Sequence, residues 1–408
     1  MAINYTDDPD KDYAIYEAEQ EKALAKLPKC SCCGNPIQQD YALVYESWQR
    51  FEIVNKDTGK TRFVTATEEP PLKDNEYIQS VYDGQVYVSF SGGKDSTVLK
   101  HIVDSMYDDV PALFINTGLE YPEIQKFAKD IKSGKYDCFN SDIDIVRPEM
   151  RFDEVVKKYG FPVISKEVSK KVHDANSAKR NGYKNSYTTK YFNGEALTPD
   201  GEKSPYNMEK WKFLLDAYFN ISNKCCDVMK KKPAKQYGKS TGRKPIIGTM
   251  ASESRFRHQK WIQYGCNAFE KGSPSSQPLS FWTEQDILHY IKKNNVPYCS
   301  VYGDIVIDEK VDGDNVIEGQ INMIDYLGCY EQDDLLKTTG CNRTGCIFCM
   351  FGCHLEKEPN RFQRLKETHP RQYDYCINGG EMVDGKWQPS KEGLGLGKVL
   401  DYIGVDYD

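Results

Sequence analysis

The 408-residue chain has no stretch near the roughly 20 consecutive apolar residues that a membrane-crossing helix needs, so a protein built on such helices is excluded. An excess of positive charge is missing too. With 54 Lys and Arg against 61 Asp and Glu, the chain is not a uniformly basic nucleic-acid coat. The first residues, MAINYTDDPDKDYAIYEAEQEK, are acidic and lack the apolar core of a secretory signal, and the expected location is cytoplasmic. Neither an internal repeat nor a low-complexity segment occurs. What is left, 39% hydrophobic and 28% charged residues, is the composition of a globular protein. The length suits roughly two or three domains.

Cysteine, by contrast, is abundant, at 14 residues. In a cytoplasmic chain thiols point to metal or redox chemistry before disulfides. Basic charge is concentrated rather than absent: from Phe161 to Lys244 there are 18 Lys and Arg against 8 Asp and Glu. Tyrosines interleave this stretch, as in AKRNGYKNSYTTKYFNG, and offer stacking surfaces beside phosphate contacts. A solvated basic insertion is the plainer reading.

The segment YVSFSGGKDSTVLKHIV, residues 87–103, reads as strand, turn and helix. Val86, Val88 and Phe90 alternate into a Ser/Gly turn, after which Val98, Leu99 and Ile102 recur at helical spacing. Gly92 and Gly93 let backbone N–H groups converge at the positive end of that helix, which makes a nest for an anion. Lys94 adds a full charge, and Ser89, Ser91 and Ser96 supply hydroxyls. The spacing is not GxxxxGK[ST], so the common phosphate-loop motif does not apply. Further short apolar runs, PALFINTG, DIDIVRP and KPIIGTMA, alternate with helical patterns and predict a parallel α/β sheet. Ligands of such sheets lie at the C-terminal strand ends, where SGGKDS, NTGLEYPE and GTMASESRFR fall.

Three regions are expected: an appendage over 1–75, a nucleotide-binding domain over 76–300 with a basic insertion at about 161–245, and a cysteine-rich region over 301–408. The appendage should carry an acidic helix near Tyr13 to Leu27 and a hairpin turning at Asp57-Thr58-Gly59. Between them, Cys30 and Cys33 in CSCCGNPI have the spacing of half a zinc ribbon, with no second CxxC within a few dozen residues. The knuckle is either a structural zinc site completed from elsewhere or a metal-free remnant. YTTKYFNGEALTPDGEKS and IVIDEKVDGDNVIEGQINMID read as hairpins with Asn-Gly and Asp-Gly turns. GLGLGKVLDYIGVDYD should close the chain as a helix and tail.

Cys225 and Cys226 stand side by side in KCCDVMKKKPA, and Cys346 and Cys349 stand three apart in RTGCIFC. Two thiolate pairs from separate segments can surround a cubane cluster, although CxxC alone suits zinc or a redox dithiol equally. Cys341, Cys353 and Cys376 lie close enough in sequence to offer an alternative ligand set, while Cys138, Cys266, Cys299 and Cys329 are expected to be small buried side chains.

The string SFSGGKDS after a strand resembles the PP-loop of the ATP pyrophosphatase and phosphoadenosine phosphosulfate (PAPS) reductase superfamily. The order NTGLEYPE, CCDVMKKKP, GTMASESRFR, PLSFWTEQDIL and TGCIFC, from about Val86 to Gly352, is similar to that of the iron–sulfur adenylylsulfate reductases. It also looks like the sulfur-transfer proteins of tRNA thiolation and DNA phosphorothioation. The resemblance implies a Rossmann-like adenine nucleotide alpha hydrolase fold. It implies ATP with Mg²⁺ held by Ser89, Ser91, Gly92, Gly93, Lys94, Asp95 and Ser96, with adenosine near Thr117 and Gly118 and further contacts from Glu253 and Arg257. Lys94, Asp95 and Arg257 would be catalytic, and Cys225, Cys226, Cys346 and Cys349 would hold a 4Fe–4S cluster. Two departures matter. Met250 stands where the family segment has Arg, and no cysteine follows Cys376, so the reductases' C-terminal nucleophile is missing. The implied activity is therefore ATP-dependent adenylation of a nucleic acid, tRNA or DNA, with sulfur from a donor such as a cysteine desulfurase. Lys166, Lys170 and Lys171 are candidate phosphate contacts. A sulfonucleotide reductase using Cys353 or a partner's thiol, and a non-catalytic iron–sulfur regulator that binds nucleic acid, are the alternatives.

Overall fold

The structure is a computed structural model that describes residues 50–54, 61–65, 86–182, 187–198, 201–254, 257–259, 261, 267–268, 275–308 and 335–408. The predicted acidic helix, the Cys30/Cys33 knuckle, Arg255, Cys266, Cys329 and most of the second predicted hairpin lie outside these residues. The chain divides into two compact units, one formed by 1–87 and 243–283, the other by 88–242 and 284–408. Among the described residues no helix is long and apolar enough to cross a membrane.

In the smaller unit, β1 (Arg50–Val54) and β2 (Thr61–Thr65) pair antiparallel, as the predicted hairpin requires. The larger unit is α/β with a parallel sheet. β3 (Val86–Phe90) leads into α1 (Lys94–Met106), then β4 (Ala112–Ile115), α2 (Pro122–Lys132) and β5 (Ile143–Val146). Val88 lies opposite Ala112, and Ala112 opposite Ile143, both in parallel register. Val86, Val88 and Phe90 on β3 and Ala112, Leu113 and Phe114 on β4 are buried, as central strands of a parallel sheet require. On α2, Ile124, Phe127, Ala128 and Ile131 are buried at helical spacing, and Pro122 opens the first turn, where its missing N–H costs nothing. Buried Lys100 on α1 is held by Asp104 one turn on, at 2.8 Å.

The basic middle stretch is woven into the core. α3 (Phe152–Tyr159) is followed by β6 (Val163–Ile164), α4 (Lys166–Arg180) and α5 (Tyr187–Asn193). Ser165 caps α4 by accepting from Val168 N at 3.1 Å. Val168, Val172 and Ala175 on α4 join one apolar cluster with Phe192, Phe219, Ile347, Phe348 and Met350, while Lys166 and Lys170 face outward. The hairpin predicted at YTTKYFNGE is instead α5, ending at Gly194 with φ 73°; only Leu197 and Lys203 form a bridge. The helix buries Phe192 completely, a gain that outweighs the local Asn-Gly turn preference.

α6 (Lys224–Cys226) runs through a π-helical turn at Asp227–Lys231 into α7 (Lys232–Thr241). In the smaller unit β7 (Lys244–Ile247) is parallel to β9 (Ser275–Ser276), which pairs antiparallel with β8 (Asn267–Ala268). The larger unit continues with α8 (Glu284–Lys293) and β10 (Ile305–Ile307), which pairs with β11 (Leu336–Thr338). β12 (Met350–Phe351), α9 (Arg361–Thr368), α10 (Pro370–Ile377) and α11 (Leu396–Ile403) complete it, α11 being the predicted closing helix. β12 lies parallel to β6, with Met350 opposite Val163 and Phe351 opposite Ile164. That pairing carries the C-terminal cysteines to the side of the unit where α6 begins.

Candidate functional site

The loop between β3 and α1 is shaped by its glycines. Gly92 sits at φ 73°, and a Cβ there would come within 2.8 Å of Ile124 Cγ2, so only glycine fits without strain. Ser96 Oγ accepts from Ser91 N at 3.1 Å and donates to Gly93 O at 2.9 Å, tying the turn to the first turn of α1. Ser89 lies on β3 itself, and half-buried Asp95 lies in the first turn of α1. Lys94 is only 4% exposed. Its Nζ donates to Asn342 O at 2.6 Å and pairs with Glu284 Oε1 at 2.8 Å, and its backbone N–H donates to Tyr302 OH at 3.1 Å. Burial, with the field of Asp95 adding, pushes the Tyr302 phenol up to about 12, so it stays protonated.

The end of β4 presents Thr117 and Gly118. Thr117 donates from both Oγ1 (2.6 Å) and N (3.0 Å) to the Glu120 carboxylate. Gly118, at φ 76°, faces open space. A cavity of about 310 Å³ adjoins it, lined among others by Glu120, Gln125, Phe348, Arg371 and Tyr375.

The structure brings Cys225, Cys226, Cys346 and Cys349 into one another's fields. Cys225 Sγ donates to Cys226 Sγ at 4.0 Å. This hydrogen bond holds Cys225 well above the usual thiol range and Cys226 below it. Lys166, Lys230 and Lys231 further favour the Cys226 thiolate against its burial. The CxxC turn is clamped by Ile347 N on Leu119 O at 2.8 Å, Gly352 N on Ile164 O at 2.8 Å and Arg361 on Cys349 O at 2.9 Å. Burial raises Cys346 to about 11, with Lys230 opposing and Cys349, Glu120 and Cys226 adding. Burial also raises Cys349, which feels Cys226. Burial pulls the Lys230 ammonium down, but Cys346, Glu120 and Cys226 more than compensate and hold it charged.

The remaining cysteines are placed differently. Cys353 is 1% exposed, donates to Met350 O at 3.0 Å, and is pushed by burial up to about 12, the opposite of an activated nucleophile. Cys376 is fully buried, and burial raises it strongly. Cys299 is buried as expected, but Cys138 is exposed, because Phe139 beside it takes the core position.

Beside the cysteines, Lys166, Lys170 and Lys171 line a second cavity of about 450 Å³ with Glu167, Asp174, Tyr191 and Asn223. Lys171 pairs with Glu167 at 3.2 Å and lies 3.4 Å from the Tyr191 ring centroid, so its charge is already engaged. Glu253 and Arg257 belong to the smaller unit, where they form an ion pair; Glu253 also accepts from Met250 N at 3.2 Å. Their assignment to a nucleotide rests on the resemblance alone. Met250 is buried, so an apolar side chain has taken the place of the family's arginine.

Sequence reasoning missed four residues around Lys94: Glu284 and Thr344 sat inside the quoted PLSFWTEQDIL and RTGCIFC strings but were given no role, while Tyr302 and Asn342 come from distant segments with no local signal. Lys230 sat inside the quoted KCCDVMKKK string but was given no role.

The family model of the phosphoadenosine phosphosulfate reductase domain matches residues 85–187 and 182–350, well over half of the chain. An uncharacterized protein of Methanocaldococcus jannaschii is 38% identical over 81 residues, which is 19% of this chain and 18% of that protein. The chain thus spans less than a fifth of that curated relative's length. A crystal structure of PAPS reductase from Candida auris, a phosphate complex, covers 56% of this chain and 91% of its own at 16% identity. Its TM-score of 0.29 is too low to carry an argument.

Proposed function

The chain belongs to the phosphoadenosine phosphosulfate reductase domain family, and from that premise we propose that it is an ATP-dependent sulfurtransferase that adenylates a nucleic acid. The observation that carries this reading is that one unit holds the glycine-shaped loop before α1 and two thiol pairs, with Cys225 and Cys346 packed on the same apolar cluster, beside a lysine-lined groove. In the proposed first step an acceptor oxygen attacks the α-phosphorus of ATP, the bond to the bridging oxygen breaks and pyrophosphate leaves. Lys94 and the N–H groups at the start of α1 would stabilise the charge that develops, and Asp95, in the first turn of α1, would hold Mg²⁺ or orient the loop. In the second step sulfide-level sulfur displaces AMP from the activated position; it is released from the persulfide of a cysteine desulfurase-class donor when a reducing thiol breaks the S–S bond and is itself oxidised to a disulfide.

Four thiols are a soft donor set of the kind an iron–sulfur cluster takes, and zinc in the same thiolates is the competing occupant. The two thiol pairs come from separate segments, and among the described residues no group of three or more His, Cys, Asp or Glu is gathered closely enough to hold a metal ion as the side chains lie. Cys225, Cys226, Cys346 and Cys349 would hold the cluster, which when bound supplies a site for the transferred sulfur. Lys230 would keep a positive charge against the thiolates. The sealed environment of Cys353 weighs against a reductase that uses it as nucleophile.

Anaerobically purified protein given α-labelled ATP and magnesium tests the proposal. AMP should form only when tRNA or DNA is added, and not with Lys94→Ala. Absence of AMP from protein that binds ATP and retains its metal would overturn it, and sulfite release from adenylylsulfate would replace it with reduction.

A further inference from the structure

Residues 341–346 form a strap that leads directly into the CxxC turn, and it is tied to the phosphate loop by groups that a phosphate would also use. Lys94 Nζ donates to Asn342 O at 2.6 Å. The Lys94 backbone N–H donates to Tyr302 OH at 3.1 Å, and that hydroxyl lies 2.6 Å from Thr344 Oγ1, two residues before Cys346. A Cβ placed on Gly93 would sit 3.3 Å from both the Tyr302 and the Thr344 hydroxyls, so the two oxygens lie against the floor of the nest. The turn carrying Tyr302 is in turn zipped to the start of the strap through Gly340 N on Tyr302 O (2.8 Å) and Cys341 N on Val301 O (3.0 Å).

We propose that this strap is a nucleotide-responsive latch: phosphate bound on the loop takes the Lys94 donors from Asn342 and Tyr302 and loosens the segment that positions Cys346. The inference rests on reading the loop as the nucleotide phosphate site. On a phosphate oxyanion the Lys94 backbone N–H exchanges a neutral bond to Tyr302 for a charge-assisted one roughly twice as strong, and the Lys94 ammonium exchanges a carbonyl dipole for a full negative charge, so the exchange favours phosphate. Glu284 is the anionic competitor already on Lys94, at 2.8 Å, but its side chain is half exposed and its hold correspondingly weak. Tyr302 and Thr344 are positioning residues here, since they act on Cys346 through the strap. Linkage then runs both ways: whatever fixes Cys346 in place changes nucleotide affinity by the factor with which nucleotide changes the strap.

Hydrogen exchange on the full-length protein as purified, with and without saturating MgATP, reads the strap directly through the peptide covering residues 339–349. ATP binding is measured in parallel by equilibrium dialysis. MgATP should speed exchange in that peptide about fivefold or more, the low end of ordinary coupling between sites. Tyr302→Phe and Thr344→Val should exchange fast without nucleotide and respond little to it, while Thr344→Ser, which keeps the hydroxyl, should behave as wild type. ATP that binds but leaves the wild-type peptide unchanged, or slows it, overturns the latch and spares the reading of the loop. Failure of ATP to bind at all overturns both.

Discussion

The loop after β3 and the groove on α4, both in the larger unit, are built on different principles. The loop after β3 relies on backbone geometry, one left-handed glycine and a buried lysine with fixed partners. The groove on α4 relies on side-chain charge: Lys166 and Lys170 are exposed, and Lys171 is already shared with Glu167 and Tyr191. A site made by the backbone selects shape and resists screening. One made by surface lysines attracts any polyanion and weakens with salt. Under the proposed function the first would take a defined small phosphate and the second an extended nucleic-acid backbone, and substitutions should separate the two.

The largest effect is expected for Lys94→Ala, which should lower AMP formation by about 100-fold or more, as loss of a transition-state donor does. Nucleic-acid affinity, read by filter binding, should not change; a matched loss of both would merge the two sites. Gly92→Ala imposes a strained φ and a clash with Ile124, a cost of about 1–3 kcal/mol that should appear as roughly tenfold or greater weakening of ATP binding in calorimetry. Lys166→Ala and Lys170→Ala should each reduce the log–log salt slope of nucleic-acid binding by about one unit while ATP binding stays constant. Unchanged slopes would remove the groove from the account. The smallest effect belongs to Glu284→Gln, which relieves competition for Lys94 and should tighten ATP binding by about two- to fivefold.

The same contrast explains what the sequence made legible. SFSGGKDS announced its geometry because glycines, hydroxyls and a helix start within eight residues dictate one local conformation. The strands β3, β4 and β5 were readable as short apolar runs. The two cysteine pairs could be matched through the order of motifs, but their meeting depends on the short β6–β12 pairing, where Ile164 adopts φ 61° and which no local pattern predicts. Asn342 meets Lys94 across 248 positions and contributes only a backbone carbonyl, so its identity carries no signal. The hairpin expected at Asn193-Gly194 failed for the opposite reason: a real local turn preference yielded to the burial of Phe192.

The central claim is that Cys225, Cys226, Cys346 and Cys349 act as one ligand set beside the phosphate loop, and metal analysis of anaerobically purified protein tests it most directly. Wild type should contain iron and acid-labile sulfide in equal amounts, about four of each per chain. Cys226→Ser and Cys346→Ser should each lose both and still bind ATP. Zinc without labile sulfide, or iron retained in full by both variants, would contradict the account.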